Sequence, residues 1–170
     1  MLEPRVFADA RGFFLASWND EAFRLQVADT GFVQDNQSRS LRGTIRGLHF
    51  QLRHTQGKLV RCSSGRIWDV VVDVRRSSPT FGQSLGLELS GEDHRQLWIP
   101  AGYAHGYLVL SETADLQYKV TDRYDQTSER TLLWNDPALG IDWPLPPGMA
   151  PILSAKDLMG VRLAELETLP

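Results

Sequence analysis

The stretch "RIWDVVVDVR", residues 66–75, most constrains what this chain can fold into. Trp68, Val70, Val72 and Val74 alternate with Ile67, Asp69, Val71 and Asp73, a period of two that an extended strand satisfies. Both faces are largely apolar and one is studded with acids, so this strand has to be covered on both sides, as inside a sandwich. "GKLVRC" precedes it across Ser63, Ser64 and Gly65, which predicts a short hairpin. "SLGLELS", "RQLWIP", "GYLVLS", "DLQYKVT" and "RTLLWND" read as further short strands. "SPTFG", "GED", "PAG", "SET" and "DQTSE" separate them and are rich in turn formers. Strands at a spacing of roughly 8 to 12 residues predict an all-β sandwich or barrel. Short helices are expected only around Asn19 to Gln26, with Asn19 as cap, and around Ala155 to Glu167.

With 170 residues and no repeat, low-complexity tract or linker, residues 1–170 read as a single domain. The 18 basic and 21 acidic residues are spread without blocks, which gives no general attraction to nucleic acid or to a membrane. The single cysteine, Cys62, has no internal partner and sits in a strand-like run, where it reads as core. The amino terminus lacks the zones of a signal peptide, and no apolar run approaches the roughly 20 residues that span a bilayer. A cytoplasmic protein is expected.

"RGLHFQLRHTQGKLV", residues 46–60, sets His49, His54, two arginines and Lys58 among apolar residues, which suits a metal site, an anion site or a proton-transfer base. "IPAGYAHGY", residues 99–107, fits P-x-G-x-x-H through Pro100, Gly102 and His105, the second half of the cupin pattern. Metal cupins supply H-x-H and a glutamate in the first half, because a divalent ion wants convergent nitrogen and oxygen ligands. Here His49 and His54 are five apart, on opposite faces of a strand, and Gln56 or Lys58 stands where the glutamate belongs. An ammonium beside a divalent ion opposes its binding, so no metal is expected. Taken alone, His49, Tyr118 and Lys58 read more readily as ordinary core or surface residues, and His105 reads equally well as a structural histidine.

The motifs "FVQDNQS", "IRGLHFQ", "QGKLVRC", "WDVVVDVR", "SPTFG", "RQLWIPAGYAHGY", "QYKVTDRYD", "LLWNDPALGIDWP" and "LSAKD" occur in that order. From Leu2 to Asp157 this succession resembles the dTDP-4-dehydrorhamnose 3,5-epimerase family, the RmlC-like enzymes. The resemblance implies a cupin-type jelly-roll β-sandwich with short peripheral helices, working as a homodimer without metal, nicotinamide or any other cofactor. It implies a dTDP-linked 4-keto-6-deoxy sugar as substrate, inverted at C3 and C5 by removal of a proton α to the C4 ketone and its return on the opposite face, giving dTDP-4-keto-L-rhamnose.

By the same resemblance His49 is the base, Asp157 the carboxylate that orients it, Tyr118 the acid on the far face and Lys58 the donor to the C4 oxygen. His105 is similar to the family's second site histidine. Arg46 and Arg11 match phosphate or substrate contacts, with Arg11 reaching into the partner subunit's site, and Gln34, Asp35 and Asn36 match the nucleotide-binding segment. Tyr124 resembles the residue stacked on thymine, while Glu129 and Lys156 occupy further substrate-contact positions. Three departures from the family pattern stand out. The amino-terminal segment that contributes to strand exchange between subunits is expected to be short, Ala16 replaces a usual glutamate, and Gln37 replaces a usual histidine. The latter two keep open a mono-epimerase of a related deoxysugar, inverting C3 or C5 alone. A non-catalytic sugar-nucleotide binding cupin or a metal-dependent cupin oxygenase are the readings from other classes.

Overall fold

A computed structural model describes residues 1–170. The first strands, β1 (Val6–Asp9) and β2 (Gly12–Leu15), form an antiparallel hairpin of their own. One four-stranded antiparallel sheet follows the order β3 (Gln34–Leu41), β10 (Thr113–Val120), β5 (Lys58–Ser64), β8 (Gln96–Ile99). The other, five-stranded, follows β11 (Glu129–Thr131), β4 (Ile45–Gln51), β9 (Tyr103–Val109), β6 (Arg66–Asp73), β7 (Ser84–Ser90). Two short helices, α1 (Asp20–Gln26) and α2 (Ala155–Leu158), lie outside the sheets. This mostly antiparallel β architecture is consistent with the cupin jelly roll that the sequence resembles. No helix is long and apolar enough to cross a membrane.

The two sheets face each other. Val60, Cys62, Leu97, Ile99 and Leu116 from the first pack against Ile67, Leu89 and Val109 from the second. On the other side of the five-stranded sheet, Leu48, Val70, Val72 and Val74 pack against Leu132, Leu139, Leu163 and Leu166 of the carboxy-terminal segment. Strand β6 is therefore covered on both faces, as its sequence requires, and each such buried Val or Leu contributes about 1.5–3 kcal/mol. The expected first helix is present: the Asn19 side chain accepts the Ala22 amide at 2.8 Å, and Phe23 anchors it against Trp18, Phe32 and Trp98.

Three local expectations are corrected. Ser63, Ser64 and Gly65 do not close a hairpin, because β5 and β6 belong to different sheets. Gly65, at φ +76°, turns the chain from one sheet to the other where a Cβ would collide with the Thr113 carbonyl. The helix expected to Glu167 stops at Leu158. Beyond Gly160, Val161 pairs instead with the 131–133 segment, its amide donating to Thr131 O and its carbonyl accepting from Leu133 N, both at 2.9 Å. Finally, His54 is not on a strand at all: β4 ends at Gln51, and His54 occupies a left-handed turn position at φ +51°.

One irregularity positions the site. The pairing of β4 with β9 slips between Arg46 and His49, a bulge that re-aims the strand. There Gly47 and Gly106 bring the two backbones so close that a Cβ on Gly106 would lie 2.5 Å from Arg46 O and 3.1 Å from Gly47 Cα. Gly106→Ala is expected to force the strands apart and destabilise the fold by about 1–3 kcal/mol, the usual range for overpacking. Chemical denaturation measures it, together with a loss of activity from the displaced His49.

Candidate active site

A cavity of about 820 Å³ opens between the sheets and is lined from both. His49 from β4, His105 from β9, Lys58 from β5, Tyr118 from β10 and Asp157 from α2 all reach it. So do Asn36, Arg46, Tyr124, Glu129 and Lys156. These residues are scattered over 122 positions of sequence, from Asn36 to Asp157, and only the pairing of the strands brings them together.

His49 Nε2 lies 2.6 Å from Asp157 Oδ1, so the ring nitrogen left for the cavity is Nδ1. Asp157 is buried, and its other oxygen accepts the Ser154 hydroxyl at 2.6 Å, while the Gly47 amide donates to Oδ1 at 3.3 Å. Burial opposes its charge, but the hydrogen bonds from His49 and Ser154 outweigh burial and hold the carboxyl below its ordinary range. Ser154 also caps α2, its hydroxyl accepting the Asp157 amide at 3.2 Å, so the helix that presents the carboxylate is started by the same side chain that steadies it.

Deeper in, His105 Nε2 is 2.9 Å from Asp69 Oδ2, both groups buried. Asp69 Oδ1 has no hydrogen-bond partner within the chain. Lys58 Nζ donates to the His49 carbonyl at 3.3 Å, spanning from one sheet to the other. Burial pushes the Lys58 ammonium down to about 8, against the opposing pull of the Asp69 and Glu129 charges. Tyr118 is half-buried on the facing sheet, and its hydroxyl has no protein partner; burial raises the phenol above its usual range, with Tyr107 adding to the rise and Arg46 opposing it.

Around the mouth, Glu129 accepts the Tyr124 hydroxyl at 3.0 Å and Lys156 Nζ at 2.9 Å. Arg46 donates through Nε to Ser40 Oγ at 2.9 Å, which leaves the rest of its guanidinium turned to the cavity. Three expected residues lie elsewhere. Gln34 spends its amide on Asn36 Oδ1 at 2.7 Å, and Asp35 pairs with Lys119 at 2.7 Å on the outer face of the sheet, since alternate residues of β3 point to opposite sides. Arg11 sits at the tip of the β1–β2 hairpin, 90% exposed and paired only with Asp9.

Sequence reasoning passed over Asp69, Ser154 and Gln51 as site residues. Asp69 carried a signal, an acid in the middle of a strand of valines, and Ser154 another, a serine three residues before the acid it caps. An imidazole held by a carboxylate on one sheet and a free phenol on the other, with an ammonium between, is an arrangement for taking a proton from one face of a molecule and supplying one to the other.

The family model described as dTDP-4-dehydrorhamnose 3,5-epimerase matches residues 1–165. The chain belongs to this family. Among its relatives, the dTDP-4-dehydrorhamnose 3,5-epimerase of Pseudomonas aeruginosa is 54% identical over 171 residues, covering 100% of this chain and 93% of the relative. The crystal structure of the Legionella pneumophila RmlC epimerase, in complex with dTDP-4-keto-L-rhamnose, superposes with a TM-score of 0.92 at 48% identity, over 97% of this chain and 87% of that one. ChmJ, a 3′-monoepimerase from Streptomyces bikiniensis in complex with dTDP-quinovose, superposes with a TM-score of 0.89 at 34% identity, over 96% and 82%. The chain is an enzyme, a sugar-nucleotide epimerase of the RmlC type.

Proposed function

We propose that this jelly-roll epimerase inverts C3 and C5 of dTDP-4-keto-6-deoxy-D-glucose to give dTDP-4-keto-L-rhamnose, acting as a homodimer. The observation that carries the reading is the 2.6 Å His49–Asp157 pair facing Tyr118 across one cavity, with Lys58 beside it. A hydrogen α to a ketone lies on the order of a dozen pKa units above an imidazole, about 16 kcal/mol, more than one base can supply. Preorganised donors at the enolate oxygen add roughly 3–4 kcal/mol each, and more where water is excluded.

His49 Nδ1 takes the proton from carbon as the C4 oxygen gains charge opposite Lys58, and the Tyr118 hydroxyl then gives its proton to the other face of the same carbon. His49 ends protonated and Tyr118 ionised; exchange with water resets both. Asp157 keeps the ring oriented and stabilises the imidazolium. At the nucleotide end Arg46 faces the diphosphate, Tyr124 stacks on the base, and Asn36, Glu129 and Lys156 hold the sugar and nucleotide, with Gln34 and Asp35 at the neighbouring strand edge. Arg11 serves the cavity of the other subunit in the dimer. Its hairpin exposes Phe13 and Phe14 at 62% and 70%, an apolar surface that a second copy covers.

Proton NMR of the substrate in deuterated water tests the assignment: deuterium is expected at both C3 and C5, and none at either would overturn it. Tyr118→Phe is expected to keep deuterium exchange while lowering product formation about hundredfold, since it loses the far-face acid and not the base. The likeness to a 3′-monoepimerase favours the second reading, in which one carbon alone exchanges; Gln37 adds nothing to it, because its side chain lies on the outer face with Asp35 and accepts from Gln117.

A further inference from the structure

We infer that Gln51 is a positioning residue that fixes Tyr124 at the mouth of the cavity and so sets affinity for the nucleotide end of the substrate. The inference rests on the reading of Tyr124 as the residue that meets the base. Gln51 closes β4, two residues beyond His49, and is 5% exposed. Its carboxamide donates to His54 O at 2.7 Å and to Arg123 O at 3.1 Å, and accepts the Asp125 amide at 3.0 Å. Arg53 O, at 3.4 Å, is a weaker neighbour of the same nitrogen.

The two contacts in the 121–128 loop have a particular relation to Tyr124. Arg123 O belongs to the peptide group that precedes Tyr124, and Asp125 N to the one that follows it. One buried side chain thus holds both peptide planes flanking the Tyr124 Cα, which fixes the backbone angles from which its ring projects. The far end of the ring is held separately, by the hydroxyl on Glu129 Oε2 at 3.0 Å. Tyr124 itself is 53% exposed, so packing alone does not hold it. The same carboxamide ties this loop to the turn at His54, and the strand that carries Gln51 pairs with Glu129, its Cα partner in β11. Gln51 therefore relates the tyrosine to the strand that bears His49. An ordered ring binds a flat ligand without first losing its own freedom, which is where the affinity comes from.

The test is a double-mutant cycle on binding of dTDP, read by calorimetry, with steady-state kinetics alongside. Gln51→Leu is expected to weaken dTDP about tenfold and raise KM to match, with kcat at saturation within about twofold. Tyr124→Ala alone is expected to weaken dTDP by a similar factor, and the double variant to be no worse than Tyr124→Ala. Multiplying penalties in the double variant would overturn the inference, as would a fall in kcat with KM unchanged. If Tyr124→Ala binds dTDP as the wild type does, the reading of Tyr124 fails and takes the inference with it, whereas an effect of Tyr124→Ala with none of Gln51→Leu defeats the inference alone. Gln51→Glu keeps the side-chain shape should Gln51→Leu fail to fold. With 3-fluorotyrosine at Tyr124, one sharp fluorine resonance is expected in the wild type and a broadened or multiple signal in either Gln51 variant; an unchanged signal refutes the role.

Discussion

His49→Ala is expected to lower kcat by about 10³- to 10⁴-fold while leaving dTDP affinity within about twofold, the upper part of the range for loss of a general base. The ring is half-buried, and its removal leaves Asp157 still bonded to Ser154 and the Gly47 amide, so the fold should survive. Deuterium exchange should disappear at C3 and at C5 together, because one imidazole is proposed to serve both positions. Exchange surviving at one carbon in this variant would mean that a second base exists. Asp157→Asn keeps a hydrogen-bonding group of the same shape but loses the charge that favours the imidazolium, and a smaller loss, about 10²-fold, is expected. Single-turnover measurements with each variant separate these losses from any change in product release.

Lys58→Met is expected to reduce kcat by about 10²- to 10³-fold, the cost of one preorganised donor at a developing oxyanion, and at the same time to make the protein more stable. Both follow from burial. The folded ammonium titrates at about 8, below its ordinary 10.5, so between those two values the unfolded chain holds a proton that the native protein has lost. Stability carried by Lys58 therefore rises with pH from about 8 to 10.5, and below that window the buried ammonium costs about 3 kcal/mol. Methionine abolishes both the penalty and the rise, which urea denaturation at pH 7 and pH 9.5 would register. In the wild type, kcat/KM should fall as pH passes about 8, where the free enzyme gives up the positive charge proposed to meet the C4 oxygen. A Lys58→Met variant that is both less active and less stable would show that the lysine serves packing instead.

Much of this was legible in the residues. The alternation in "RIWDVVVDVR" announced a strand buried on both faces, and its two cores are there. Asn19 announced a helix by its capping chemistry, and its side chain bonds Ala22. What failed, failed for tertiary reasons. Gly65 marks a tight turn in any setting, and nothing local distinguishes a turn within one sheet from a corner between two. The helical pattern from Ala155 to Glu167 lost to pairing of Val161 with the 131–133 segment. In the site, the motifs that carried the family resemblance named His49, Lys58, Tyr118 and Asp157, which share one cavity. Gln51 was invisible because a glutamine at the end of a strand has no local signature; its meaning lies in two peptide groups more than 70 residues away.

The proposed base and acid stand on different sheets, His49 on the five-stranded one and Tyr118 on the four-stranded one. The spacing of the two sheets depends on the layer of Val60, Cys62, Ile67 and Val109 packed between them, residues that do not line the cavity. Substitutions of a methylene or two in that hidden layer would act as a screw on a vice, shifting which ring hydrogen meets the imidazole while every contact residue stays the same. The stereochemical outcome would then depend on the interior as well as on the residues that line the pocket.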